Sequence, residues 1–373
     1  MLNPGEVLER MREGEVRFGR YRIHFRDRGR EVEGFLNRAL AEPGIRIVYG
    51  PYGAGKSTFL RKFAGAASKR GGLYIKYINF GKRSLEELLG SVLPGIDNRA
   101  INREIIRDAK ELDVFGMFVR TADIVWKLVD LAVKEAEEAR AERLVIFLDD
   151  VDKYMRGKGD RHYNALFGLL NALADSIENP EEDVWDDFVD KHANVVVAIS
   201  DQAAVDVAED LGDKGLAMYY LLWNLPRRAF EEVVEEVAGL TGARNIDVEL
   251  LWNLIGGNLR GLEQLVINYG WDVRRWLGER VIRRVIDAFS GVGREELGGG
   301  RIQRRLLRRN IVIRLSVPGG SSLSELPSEP WVMPNHTGGY AYQVPAYYWV
   351  VRVVQDRKSL SISPDDVLNQ LRK

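Results

Sequence analysis

The sequence contains no cysteine, so neither a disulfide nor a thiolate metal site is available to it. Only four histidines are present, His24, His162, His192 and His336, and they are scattered without the spacing of a metal-ligand set. No apolar run approaches the roughly 18 to 20 residues that cross a bilayer. The first twenty residues alternate charged and apolar side chains, which excludes a secretory signal. No membrane is therefore expected as a partner, and a cytoplasmic location is expected. An excess of either charge is also missing: the formal net charge is -1, so the chain as a whole is not a polycation. What it has is length, 373 residues, with 45% hydrophobic and 29% charged residues. That describes a soluble globular protein of about two or three domains. Many Arg and Glu beside no Cys are compatible with a thermophilic source.

Hydrophobic patterning divides the chain. Residues 1–43 read as a helical lead-in rich in Arg and Glu. Gly44 to Tyr49 is a β-branched run that ends at a Gly-rich turn, and reads as a strand followed by a helix over 57–69. Leu73 to Phe80 is a second strand. Residues 84–142 carry mostly helical periodicity. Leu144 to Leu148 and Asn194 to Ile199 are continuous apolar runs, the signature of strands buried on both faces. Ala217 to Leu222 is a fifth strand. A helix is expected over 164–177, and an acidic insertion over 181–190. Strands alternating with helices predict a parallel sheet in an α/β domain. Beyond Pro226 the pattern is helical, over 227–240, 247–255, 258–269 and 271–290. Five glycines between Gly291 and Gly300 read as a flexible joint. No internal repeat is seen.

Two motifs carry chemistry. Gly50, Pro51, Tyr52, Gly53, Ala54, Gly55, Lys56 and Ser57 match G-x-x-x-x-G-K-[ST], with Thr58 next. Glycines let backbone N–H groups turn inward onto phosphate oxygens. The following helix aims its positive end at the same phosphates. Lys56 can reach the β- and γ-phosphates, and the Ser57 hydroxyl can join the shell of a Mg²⁺ ion. The second motif is Leu144-Val145-Ile146-Phe147-Leu148-Asp149-Asp150, a buried strand that delivers two carboxylates where open α/β sheets place their ligands. Asp149 is the natural Mg²⁺ partner, and Asp150 can polarise the attacking water. Aspartate is one methylene shorter than the glutamate often found there, so slow hydrolysis is expected.

With these motifs the chain resembles the AAA+/STAND branch of archaeal P-loop ATPases and is similar to archaeal origin-recognition ATPases. The likeness covers about residues 25–270. It implies ATP and ADP as ligands, with Mg²⁺, and a P-loop NTPase core (44–226) under a helical lid (227–290). Phe25-Arg26-Asp27-Arg28-Gly29-Arg30-Glu31 resembles a segment that in such families lies near the adenine, which marks Arg28. For Arg28 and Arg30 the alternative is an exposed, charged helix face. Ser200 sits where the family has its sensor 1 residue; the alternative is a loop serine bonded to its own backbone. Gly256-Gly257-Asn258-Leu259-Arg260-Gly261-Leu262 resembles the lid motif whose Arg is called sensor 2, so Arg260 would touch the γ-phosphate. One departure is visible. Asp201 to Gly215, where ring ATPases usually present an arginine finger, contains Lys214 and no Arg. Arg156 and Arg161 are substitutes that nothing in the sequence selects. A ring is therefore disfavoured, and the oligomeric state stays open.

Residues 271–315 hold twelve Arg against five acids. A helix from Arg301, a strand over 310–317, a Pro/Ser/Gly-rich loop and a strand over 340–346 give the order of a winged helix, so 301–373 reads as a winged-helix-like domain. Arg301, Arg304, Arg305, Arg308 and Arg309 are candidate contacts to double-stranded DNA. A protein partner or a solvated face are the alternatives. Tyr340, Tyr342, Tyr347, Tyr348 and Trp349 are expected to pack a small core rather than stack on bases. The fold class is thus α/β: a P-loop parallel sheet with a helical lid and a winged-helix-like end. A DNA-binding ATPase, a switch that recruits a protein, and a ring-forming remodeller are the three functions to separate.

Overall fold

The computed structural model describes residues 2–68, 70–79, 132, 135–150, 193–199, 217–291, 301–317, 319–333 and 339–372, without the side chains of 301–304. The expected helix over 164–177, most of the helical stretch 84–142 and the acidic run 181–190 lie outside these residues.

The N-terminal segment departs from the helical expectation. Helix α1 (Pro4–Arg12), capped by the Asn3 side chain, leads into an antiparallel hairpin of β1 (Glu15–Phe18) and β2 (Tyr21–His24). The reason is local. Val16, Phe18, Tyr21 and Ile23 lie at alternate positions on either side of Gly19-Arg20, a hairpin pattern that the high charge density obscures. Helix α2 (Gly29–Gly34) follows and ends in a π-helical turn, Phe35–Ala39.

The centre is a six-stranded sheet. Its strands are β3 (Gly44–Tyr49), β4 (Leu73–Asn79), β5 (Arg143–Asp149), β6 (Asn194–Ala198), β7 (Ala217–Leu221) and a short edge strand, Gly320–Ser322. The first five lie within a residue or two of the apolar runs that marked them. Their order is β4-β5-β6-β3-β7, with the edge strand beside β7, and every pairing is parallel. The sheet is covered on both faces, as parallel sheets require. On one face Phe59 and Phe63 of helix α3 (Lys56–Ala67) and Phe35 pack edge-on, and Phe147 from β5 closes the cluster. Arg46 is buried on β3 but donates to the carbonyls of Ala39 and Glu42, so its desolvation is offset by hydrogen bonds.

On the other face lie the helices after Pro226. They are α4 (Arg227–Thr241), α5 (Val248–Ile255), α6 (Leu259–Tyr269), α7 (Val273–Trp276) and α8 (Arg283–Phe289), the last two joined by a π-helical turn, Leu277–Ile282. The expected single helix over 271–290 is therefore interrupted by that turn. Asp247 and Asn258 cap α5 and α6 by accepting from Leu250 N and Gly261 N, each cap worth about 1 kcal/mol.

The C-terminal part begins with helix α9 (Arg301–Arg308). Strands β8 (Val312–Arg314) and β11 (Tyr340–Tyr342) pair antiparallel, with β10 (Val332–Met333) outside them. Between β8 and β10, the edge strand Gly320–Ser322, β9, leaves the expected loop and joins the central sheet. Helix α10 (Pro345–Arg357) starts inside the range read as strand, because Pro345 has no N–H to donate to a ladder and suits the first helical turn. Helix α11 (Pro364–Leu371) closes the chain with a Ser363–Asp366 capping box. Tyr340, Tyr342, Tyr348 and Trp349 form a chain of edge-to-face rings, as expected of packing residues. Helices α4 to α8 and this C-terminal part share one continuous apolar core with the sheet, including Val233, Trp252, Trp331 and Val350.

Candidate nucleotide-binding site

Strand β3 ends beneath a cleft of about 380 Å³. The strand order reverses beside it, since β4 and β5 lie on one side of β3 and β7 on the other. That is where ligands of open α/β sheets bind. The loop 50–55 leaves β3 and turns into α3 at Lys56. Two glycines are fixed by contact. A Cβ on Gly50 would stand 2.0 Å from the Leu222 carbonyl oxygen, and one on Gly53 would stand 2.3 Å from Cβ of Arg260. Helix α6 therefore packs directly against the loop. Lys56 Nζ donates to the carbonyls of Gly50 at 2.7 Å and Pro51 at 3.1 Å, so its ammonium lies against the mouth of the loop.

Asp149, at the end of β5, is only 1% exposed. Ser57 Oγ donates to its Oδ1 at 2.9 Å. Asn79 Nδ2 donates to Oδ2 at 3.1 Å, and the Tyr77 hydroxyl donates to the same oxygen. Burial, and then the facing Asp149 charge, push the Tyr77 phenol up, so it stays a donor across the physiological range. A hydroxyl and a buried carboxylate are hard oxygen donors, and they fit a Mg²⁺ ion beside a polyphosphate. Asp150 follows with φ 59°, a left-handed backbone that Asp tolerates better than most residues, and it lines the cleft.

Arg28 is 3% exposed, so its side chain is not on an open helix face. It donates to the Ala54 carbonyl at 2.7 Å, the Trp223 carbonyl at 2.9 Å and Glu31 Oε1 at 2.8 Å. It lines the cleft, but these protein groups hold its guanidinium. Arg30 is the exposed one, paired with Glu325. Arg260 stands at the rim, held by Glu263 Oε2 at 2.8 Å, while Glu263 Oε1 accepts from Gly19 N of the hairpin at 2.8 Å. Burial would lower the Arg260 guanidinium, yet the Glu263 pair raises it overall.

Beside these groups the cleft is lined by an apolar set, together with Arg17, His24 and Arg26 of the hairpin segment. Val16, Phe18, Ile23, Phe25, Leu225, Val233 and Leu259 wall it. The hairpin is pinned over it by Glu236, which accepts from His24 Nδ1 at 2.6 Å and from Arg26. Burial pulls that carboxyl up, and the His24 and Arg26 hydrogen bonds hold it below the usual carboxylate range. Ser200, Arg156, Arg161 and Lys214 lie outside the described residues.

A sequence model of the ATPase domain found predominantly in Archaea matches residues 25–265. The chain belongs to this family. It is an ATPase that binds and hydrolyses ATP. No curated protein matches the chain. Among solved structures it is similar to a Walker-type ATPase of Pyrococcus abyssi, with 14% identity over 87% of this chain and 95% of that one and a TM-score of 0.46. It is also similar to the ORC2 protein of Aeropyrum pernix, in ADPNP and ADP complexes, at 16% identity, 93% and 94% coverage and a TM-score of 0.41. Cdc6p from Pyrobaculum aerophilum matches at 12% identity, 96% and 99% coverage and a TM-score of 0.37.

Two further side chains, one in the matched ATPase domain and one beyond it, hold the loop. Asn258 Nδ2 donates to the Tyr52 carbonyl and to Asn224 Oδ1, both at 3.0 Å, tying lid to loop. From beyond the domain, Gln343 Oε1 accepts from Tyr52 N at 2.9 Å. The two groups of Tyr52 are thus held by the lid and by the C-terminal part. Asn258 lies within the motif in which the resemblance marks Arg260. Gln343 carried no signal, because its partner is 291 residues away.

Proposed function

We propose that the cleft binds ATP with Mg²⁺, phosphates at the 50–57 loop and adenine against the hairpin, and that it hydrolyses ATP slowly. The buried Asp149, hydrogen-bonded to Ser57 beneath the loop, carries this reading. Ser57 and Asp149 would hold the ion, whose chemistry when bound is to draw charge from the phosphate oxygens. Backbone N–H groups of Gly53 to Thr58 cradle the phosphates, and Lys56 swings from the Gly50 and Pro51 carbonyls onto them. Asp150 orients water at the γ-phosphate. Arg260 leaves Glu263 to meet the same phosphate from the lid, with Ser200 opposite. The matching measurement is Mg²⁺-dependent phosphate release by the full chain: Asp149→Asn and Ser57→Ala should abolish it, and retention by both would overturn the assignment.

The reading extends to an AAA+/STAND-type switch whose nucleotide state sets double-stranded DNA binding through the winged-helix-like end, in the cytoplasm. Two observations support it. Arg305, Arg308 and Arg309 are exposed on or beside α9, and Gln343 of the same part contacts the loop. Among the described residues no helix is long and apolar enough to cross a membrane. Duplex binding across a salt series is the test. A steep slope that Arg305, Arg308 and Arg309 substitutions flatten supports DNA; no binding at low salt leaves the recruitment of a protein partner as the function of that face.

A further inference from the structure

Two buried threads of hydrogen bonds run from the loop 50–57 into the C-terminal part. The first starts at Ala54. Its carbonyl accepts from Arg28 Nη2 at 2.7 Å, and Arg28 Nη1 donates to Glu31 Oε1 at 2.8 Å. The same carboxylate oxygen accepts from the Ser324 hydroxyl at 2.8 Å, and Ser324 Oγ accepts from Trp223 N at 2.8 Å. The second thread starts at Tyr52, whose N–H donates to Gln343 Oε1 at 2.9 Å. Asn224 Nδ2 donates to the Gln343 carbonyl at 3.0 Å, and Asn258 joins Asn224 back to the Tyr52 carbonyl. Beside both threads, β9 lies parallel on β7. One residue before the loop, the Tyr49 hydroxyl donates to the Leu315 carbonyl at 3.2 Å.

Ser324 and Gln343 are 5% and 2% exposed, so water competes little for these bonds. Neither is among the described residues that line the nucleotide cleft. Their effect reaches it through the loop. Gly53 and Gly55 stand at φ 93° and 92°, and a backbone with this freedom does not hold its N–H groups in one direction unaided. Ser324 turns the Glu31 carboxylate, and the fixed fork of Arg28 passes that orientation to Ala54. Gln343 fixes Tyr52 two residues earlier. A cradle already held in shape pays less ordering entropy when a ligand arrives.

We infer that Ser324 and Gln343 are positioning residues for nucleotide binding, through which the C-terminal part sets the shape of the loop 50–57 from beyond the matched ATPase domain. The inference rests on the reading that this loop holds the phosphates. Such coupling is reciprocal: bound nucleotide holds the C-terminal part in place by the same factor.

The test is equilibrium titration of ADP and AMP, with Mg²⁺ present, into the full chain and its Ser324→Ala, Gln343→Met and Lys56→Ala variants, together with amide hydrogen exchange on the wild type. Ser324→Ala and Gln343→Met should each weaken ADP about tenfold, as one buried hydrogen bond behind the loop is lost. AMP, which lacks the β-phosphate, should change little, whereas a merely structural loss would scale both nucleotides alike. Saturating ADP should slow wild-type exchange over 320–324 and 340–344 by about tenfold, through the same linkage. The exchange arm needs no variant, so it decides even where a substitution prevents folding. ADP weakened in Lys56→Ala but unaltered in both other variants would overturn the inference and leave the loop reading in place. ADP unaltered in Lys56→Ala would remove that reading and this inference with it. The inference also fails if AMP is weakened as much as ADP, or if ADP leaves exchange in both segments unchanged.

Discussion

The two ends of the nucleotide cleft are built on opposite principles. At the loop end, Ser57 and Asn79 donate to Asp149, and Lys56 is held by the Gly50 and Pro51 carbonyls. On the hairpin side, Val16, Phe18, Ile23 and Val233 offer apolar side chains, with Arg17, His24 and Arg26 lining the cleft among them. In the proposed reading the first would recognise the charge of the phosphates at fixed points in space. The second would shield a flat ring from water, and its hairpin is held by Glu236 of α4 and Glu263 of α6.

Arg28 probes the join between them most severely. Arg28→Ala leaves Glu31 buried without its cation and releases the Ala54 and Trp223 carbonyls. Breaking such a buried pair costs about 3 to 5 kcal/mol. Urea denaturation should register that loss, and a change under about 1 kcal/mol would contradict the clamp. Next comes Asp149→Asn, which keeps the size of the side chain and removes its charge. We expect hydrolysis to fall about 100-fold or more while ATP without Mg²⁺ binds much as before. Equal damage to both quantities would blur the comparison.

At the base end effects should be smaller and blind to the phosphate count. Val16→Ala removes about 1 kcal/mol of apolar contact, a loss of about fivefold in affinity that is equal for ATP and ADP. An effect on ATP alone would place Val16 at the wrong end. The smallest effect concerns pH. Glu236 is held below its usual range, so its contribution is present in full above about pH 4.3 and is lost as pH falls through its lower folded value. Thermal melts of wild type and Glu236→Gln should therefore differ at pH 6 and converge in strong acid; convergence at pH 6 would show that the hairpin is not pinned this way.

The same contrast governs what could be read from the sequence. The loop 50–57 and Asp149 are local patterns, because a phosphate cradle must follow a strand and open a helix, and a carboxylate must end its neighbour. The five sheet strands were legible for a related reason: both faces are buried, so their apolar runs are unbroken. The base end was not legible. Its apolar residues include three from the hairpin and one each from the segment after β7, α4 and α6. Arg28 was singled out, yet its actual partners, Ala54 and Trp223, are 26 and 195 residues distant. The strand Gly320–Ser322 is short, half polar and glycine-containing, and only its neighbour β7 makes it a strand.

The central claim is that one nucleotide is held chiefly by its phosphates at Lys56. Equilibrium titration of ATP, ADP and AMP into wild type and Lys56→Ala, with Mg²⁺ present, addresses it directly. Wild type should bind ATP and ADP at one site and AMP far more weakly. Lys56→Ala should lose about 100-fold for ATP with little change for AMP, as two charge-assisted contacts to phosphate are removed. Wild-type affinity for AMP equal to that for ATP, or an unaltered Lys56→Ala, would contradict it.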